Sequence, residues 1–92
     1  MQKDNQIWIF NGSSSRFCSG VFSSRETAEN WISRNKLSGL LTLYPINEGV
    51  YDWAINNKHF SPKKDVETTS EFIQKFTSAN QEHYHYENGE LN

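Results

Sequence analysis

Apolar and polar positions along the chain fall into short runs whose spacing predicts its elements. Gln6-Ile7-Trp8-Ile9-Phe10 is a β-branched and aromatic run closed by Asn11-Gly12, the pattern of a strand ended by a turn. After the Gly/Ser cluster 12–15 comes Arg16-Phe17-Cys18-Ser19-Gly20-Val21-Phe22, a second strand in which Gly20 is a candidate bulge. Two such runs joined by a short Gly-rich loop predict a β-hairpin. Ser23 and Glu26 then have the spacing of a capping box, which opens helices by satisfying two free backbone donors. Ala28, Trp31 and Ile32 follow at i, i+3, i+4, one apolar stripe on a helix of about three turns. Leu37-Ser38-Gly39 is read as the end of that helix, and Leu40 to Tyr44 as a third strand stopped by Pro45.

Val50, Trp53 and Ala54 keep helical spacing, and Ser61-Pro62-Lys63-Lys64-Asp65 is a polar linker. Thr68 and Glu71 repeat the capping spacing before Phe72, Ile73 and Phe76, the apolar side of another short helix. The segment Glu82-His83-Tyr84-His85-Tyr86-Glu87 alternates strictly, so in a strand its tyrosines take one face and its histidines the other. The order along the chain is ββα-β-αα-β. This predicts a single small α+β domain over 1–92: an antiparallel sheet of about four strands with two or three helices packed on one face. Its ordered core is expected over about 6–88, with residues 1–5 and 89–92 frayed.

Composition changes this picture in one respect. Only 35% of residues are hydrophobic, but three Trp, six Phe and four Tyr carry much of the apolar surface. A buried ring removes roughly 150–250 Å² from water, so about ten rings supply a core at this length. Trp8, Trp31 and Trp53 are expected in that core. A lone cysteine, Cys18, leaves no intrachain disulfide and fits a reducing compartment. No apolar stretch approaches the ~20 residues of a membrane span, so a cytoplasmic location without membrane association is expected.

Net charge is −2, unevenly spread. Residues 1–36 hold five Lys/Arg against three Asp/Glu, and residues 37–92 hold four against eight. A phosphate backbone is repelled by such a C-terminal half, which disfavours nucleic acid, whereas a basic protein partner is attracted.

Candidate chemistry concentrates in the alternating segment. Two histidines at i, i+2 could hold one ion, with His59 or Glu87 as a third ligand, but H-x-H alone is a weak pattern. No cofactor is expected. Cys18 with a histidine could form a nucleophile–base pair, although a strand cysteine is ordinarily a small buried residue. Glu48 and Asp52 are paired acids at a helix start, where the usual role is to answer the helix dipole. Gly12 to Ser15 lacks the lysine of a phosphate-binding loop.

The blocks "IWIFNG", "RFCSGVFSSRETAENWI", "LSGLLTLYP", "GVYDWAINN", "FSPKK" and "FIQKFTSANQEHYHYENG", running from Ile7 to Gly89, resemble a family of small bacterial proteins known as a domain of unknown function. The resemblance implies bacterial origin and one compact domain, and brings no activity. Family members often carry proline where Cys18 stands, which weakens a nucleophile role there.

The expected function is a non-enzymatic protein-binding module, in one concrete version an immunity-type protein that caps a basic toxin domain. Glu82, His83, Tyr84, His85, Tyr86 and Glu87 would form the contact surface, joined by Asp52 and Glu48. The alternative is a metal-binding or small hydrolytic protein centred on His83 and His85 with His59. A third expectation is a homo-oligomer formed by edge-strand pairing.

Overall fold

The computed structural model describes residues 5–92. The expected fraying of residues 1–4 therefore lies outside the described residues. Strands β1 (Gln6–Gly12), β2 (Cys18–Phe22), β3 (Gly39–Pro45), β4 (His83–Glu87) and β5 (Glu90–Leu91) form a single sheet in the order β2-β1-β3-β4-β5. Every neighbouring pair is antiparallel, as the predicted α+β class requires. β2 and β3 consequently run parallel on either side of β1, joined by helix α1 (Arg25–Asn35). A crossover over an intervening strand has to pass across a sheet face, and α1 does so.

Register decides what α1 covers. Trp8 pairs with Phe22 and Leu43, Phe10 with Gly20 and Leu41, and Leu41 with Tyr84. Side chains directly opposite share a face, so Trp8, Phe10, Phe22, Leu41, Leu43, Tyr84 and Tyr86 form one surface. Ala28 and Ile32 of α1, both fully buried, complete the core with Trp8, Phe10, Leu41 and Tyr86. Trp31 packs at its margin, edge-on to Phe10 with ring centres 5.7 Å apart. The i, i+3, i+4 stripe thus faces the sheet as predicted.

The structure corrects several local details. α1 is capped by Ser24, whose hydroxyl accepts from the Thr27 amide at 3.2 Å, one residue after the expected Ser23. It ends at Lys36 in the left-handed conformation, with the Leu37 amide reaching back to the Ile32 carbonyl at 3.0 Å. This satisfies the last carbonyls without a glycine. Gly39 instead opens β3. The bulge lies in β2, where pairing jumps from Phe10–Gly20 to Asn11–Cys18 and leaves Ser19 unpaired. Cys18 is exposed, not buried.

Between β3 and β4 the chain forms α2 (Val50–Asn56), a 3-10 turn over Asp65–Thr68 and α3 (Ser70–Gln74), the last capped by Thr69 and not Thr68. The rings of Tyr51, Phe60, Phe72 and Phe76 pack on one another at 4.9–6.3 Å, a second aromatic cluster separate from the sheet core. The Tyr51 hydroxyl donates to the Glu67 carbonyl at 2.8 Å and ties α2 to the 3-10 turn. Trp53 is half-buried against His59, outside the main core.

Within residues 89–92, expected to fray, Glu90–Leu91 form β5. Asn88 and Gly89 both have positive φ, 53° and 87°, the combination a two-residue type I′ hairpin turn demands. The turn is stitched to the end of α1: the Gly89 amide donates to the Leu37 carbonyl at 2.8 Å and the Asn88 amide to the Ser38 hydroxyl at 2.9 Å. A Cβ on Gly89 would sit 3.0 Å from the Lys36 Cα, so this close approach also selects glycine.

Candidate functional site

β4 follows from its sequence pattern. Tyr84 and Tyr86 turn toward α1, while His83 and His85 take the opposite face with His85 exposed. Tyr86 is 5% exposed, and its hydroxyl donates a hydrogen bond to Glu29 Oε2 on α1. The same carboxylate oxygen accepts from Arg25 Nε at 3.2 Å. The Arg25 guanidinium lies over the Tyr84 ring, 3.5 Å from its centre, and the Tyr84 hydroxyl donates to Glu82. Trp8 packs on the Tyr84 ring as well, with ring centres 6.0 Å apart. Arg25, Glu29, Tyr84 and Tyr86 therefore clamp β4 to α1, with a cation over a ring and charge-assisted hydrogen bonds.

Burial raises the Tyr86 pKa well above its ordinary value, and the Glu29 carboxylate adds to the effect. Tyr84 is shifted in the same direction, first by its bond to Glu82. Unfolded tyrosines ionise near pH 10, so above that pH the native state binds more protons than the unfolded chain. Stability then falls as pH rises. The contribution of Tyr86 is complete below about pH 10 and is lost as pH climbs toward its folded pKa. Tyr86→Phe is expected to lower stability at neutral pH by about 1–2 kcal/mol, the range for a hydrogen bond to a half-buried charge. It should also flatten the loss of Tm between about pH 9.5 and 11.5. Thermal melts of both proteins across that range check this, and parallel curves would contradict it.

On the other face, the His83 and His85 rings meet edge-on with centres 5.4 Å apart. His83 Nδ1 lies 2.7 Å from the Gln81 carbonyl. Gln81 is itself 5% exposed, and its side-chain amide donates to the Leu43 carbonyl at 3.1 Å. His59 is not drawn to this pair: it stacks on Trp53 after α2. Among the described residues no three His, Cys, Asp or Glu side chains gather as ion ligands. Glu48 and Asp52 also lie away from the strand. Glu48 accepts from Asn56 at 2.7 Å, and Asp52 occupies the first turn of α2.

The edge beside β4 is only partly covered. The Glu82 carbonyl accepts from Leu43, so by alternation the backbone groups of His83, His85 and Glu87 point away from β3. β5 pairs with Tyr86 and Glu87, and the Asn92 amide reaches the His85 carbonyl at 2.8 Å. His83 lies beyond that cover. Glu82, Glu87 and Glu90 are all exposed around this edge. Among the described residues the ion pairs are Arg25–Glu29 and Lys75–Glu71, so these three carboxylates have no cationic partner. Beside His85 a polar depression of about 490 Å³ opens between the ends of β1, β3 and β4, with Asn11, Ser13, Ser38 and Glu87 in its wall.

A five-stranded antiparallel sheet with one helix across its face and an acidic C-terminal hairpin defines a small α+β domain. Residues 7–92 match the model of the family described as Domain of unknown function (DUF7710), and the chain belongs to that family. No curated protein and no solved structure gives a match. Among the described residues no helix is long and apolar enough to cross a membrane.

The Arg25–Glu29 contribution to the site has no signature in the sequence beyond an i, i+4 charge pair. The hairpin turn does have one, Asn88-Gly89, the strongest short-range hairpin signal.

Proposed function

We propose that this protein is a non-enzymatic binding module whose C-terminal hairpin takes a basic segment of a protein partner along the open edge of β4. The observation that carries this reading is the uncovered backbone of His83 at the β4 edge, on a hairpin whose exposed Glu82, Glu87 and Glu90 have no cationic partner among the described residues. An added strand would gain main-chain hydrogen bonds there, and the carboxylates would select lysine or arginine. The same charges oppose pairing of this edge with a second copy, because like charges across a strand pair destabilise it. A basic toxin domain held by an immunity-type protein is a partner of the required chemistry. The clamp of Arg25 and Glu29 supports the reading, since a rigid edge binds without paying to order itself.

The test uses protein immobilised through its N-terminus and lysate of the source cells. The unmodified chain should retain a protein at low salt and release it at high salt, as exposed charge pairs are screened. The triple variant Glu82→Gln, Glu87→Gln, Glu90→Gln should retain much less of the same protein. Retention insensitive to both salt and the triple substitution would sink the proposal, as would no retention at low salt.

A further inference from the structure

We propose that His83 and His85 form a two-imidazole binding site for a borderline transition-metal dication of the Zn²⁺ or Cu²⁺ type on the exposed face of β4. The hydrogen bond made by His83 carries the argument. A carbonyl oxygen only accepts, so the 2.7 Å contact with Gln81 requires the His83 proton to sit on Nδ1. In the neutral ring that leaves Nε2 with its lone pair free. Ligating histidines ordinarily donate their other N–H to a carbonyl or carboxylate, which fixes tautomer and ring orientation before the ion arrives. The acceptor here is itself fixed, because Gln81 is buried and its side chain is tied to β3 through the Leu43 carbonyl.

The spacing also suits one ion. Imidazole nitrogens bind Zn²⁺ at about 2.0–2.1 Å, so two rings on a tetrahedral ion hold their centres roughly 5 Å apart. The observed separation is 5.4 Å with the rings nearly perpendicular, at 81°. Thr42 and Leu40 lie directly across the strand pair and offer no competing charge. With two protein ligands the remaining coordination positions belong to water. The donor set is all imidazole, which suits zinc, copper and nickel and not magnesium or calcium.

Calorimetric titration of untagged protein with Zn²⁺ and with Cu²⁺ tests this. One ion per chain is expected, with Cu²⁺ binding more tightly than Zn²⁺ as the Irving–Williams order requires. His83→Ala and His85→Ala should each weaken binding by at least about tenfold, the least that loss of even an outer-shell partner costs. His59→Ala should leave it unchanged. A second measurement needs no variant: substoichiometric Cu²⁺ should broaden the NMR signals of the His83 and His85 rings before those of His59. Absence of saturable binding, full affinity in either strand variant, or broadening centred on His59 would each overturn the site. No partner protein enters this experiment, so its outcome is independent of the binding role of the hairpin.

Discussion

Replacing Phe10 with alanine is expected to cost about 3–5 kcal/mol, the range for removing a buried ring from a core that cannot collapse around the void. Phe10 is 1% exposed, lies on β1 between β2 and β3, and packs beside Leu41 and edge-on to Trp31 in the core. A domain of this size has a total stability of roughly 5–14 kcal/mol, so the loss approaches a third or more of it. Each kcal/mol moves Tm by about 4–8 °C in a chain this short, which puts the expected fall above about 12 °C. Phe17, 74% exposed on the approach to β2, supplies the comparison: Phe17→Ala should stay within about 0.5 kcal/mol of the parent. Thermal and urea unfolding of the two variants decide the matter. Equal effects would mean that the sheet core does not lie where these residues place it.

The second large effect is expected at Gly39, through close approach. A Cβ there would lie 2.2 Å from the Asn11 carbonyl oxygen, 2.8 Å from the Gly12 Cα and 2.8 Å from Cζ of Phe10. Two of these obstacles are backbone, so β1 and β3 would have to part where they pair. Overpacking of this kind costs about 1–3 kcal/mol and sometimes more, and Gly39→Ala belongs at the upper end. Its cross-strand partner Gly12 behaves differently: a Cβ there meets nothing nearer than 3.8 Å. Gly12→Ala should therefore be close to neutral although the two glycines face each other. Denaturant titration compares them. A Gly39→Ala protein within about 1 kcal/mol of the parent would show that the sheet end yields more easily than the packing implies.

What the chain revealed in advance followed from periodicity. The β-branched and aromatic runs located β1 to β4, and the stripe Ala28, Trp31, Ile32 oriented α1, because both patterns report which side chains must leave water. Strict alternation over 82–87 likewise placed Tyr84 and Tyr86 inward and His85 outward. Helix starts were displaced by one residue at Ser23-Ser24 and at Thr68-Thr69, where two neighbouring hydroxyls could each serve as cap. Periodicity fixes the rotation of a helix but not its first turn. The clamp was hidden for a different reason: Tyr86 and Glu29 are 57 residues apart, and only sheet register brings them together. The second cluster of Tyr51, Phe60, Phe72 and Phe76 was equally out of reach, since no single period links those rings. Asn88-Gly89 was a legible hairpin signal that the expectation for 89–92 did not use.

The path of β5 sets a practical constraint on any fusion protein. Asn92 already lies beside His85, and β5 runs antiparallel to β4. Residues appended in that direction would run next to Tyr84 and then His83, and would occupy the vacant backbone positions themselves. A purification handle joined directly after Asn92 would act as a tethered competitor at high effective concentration.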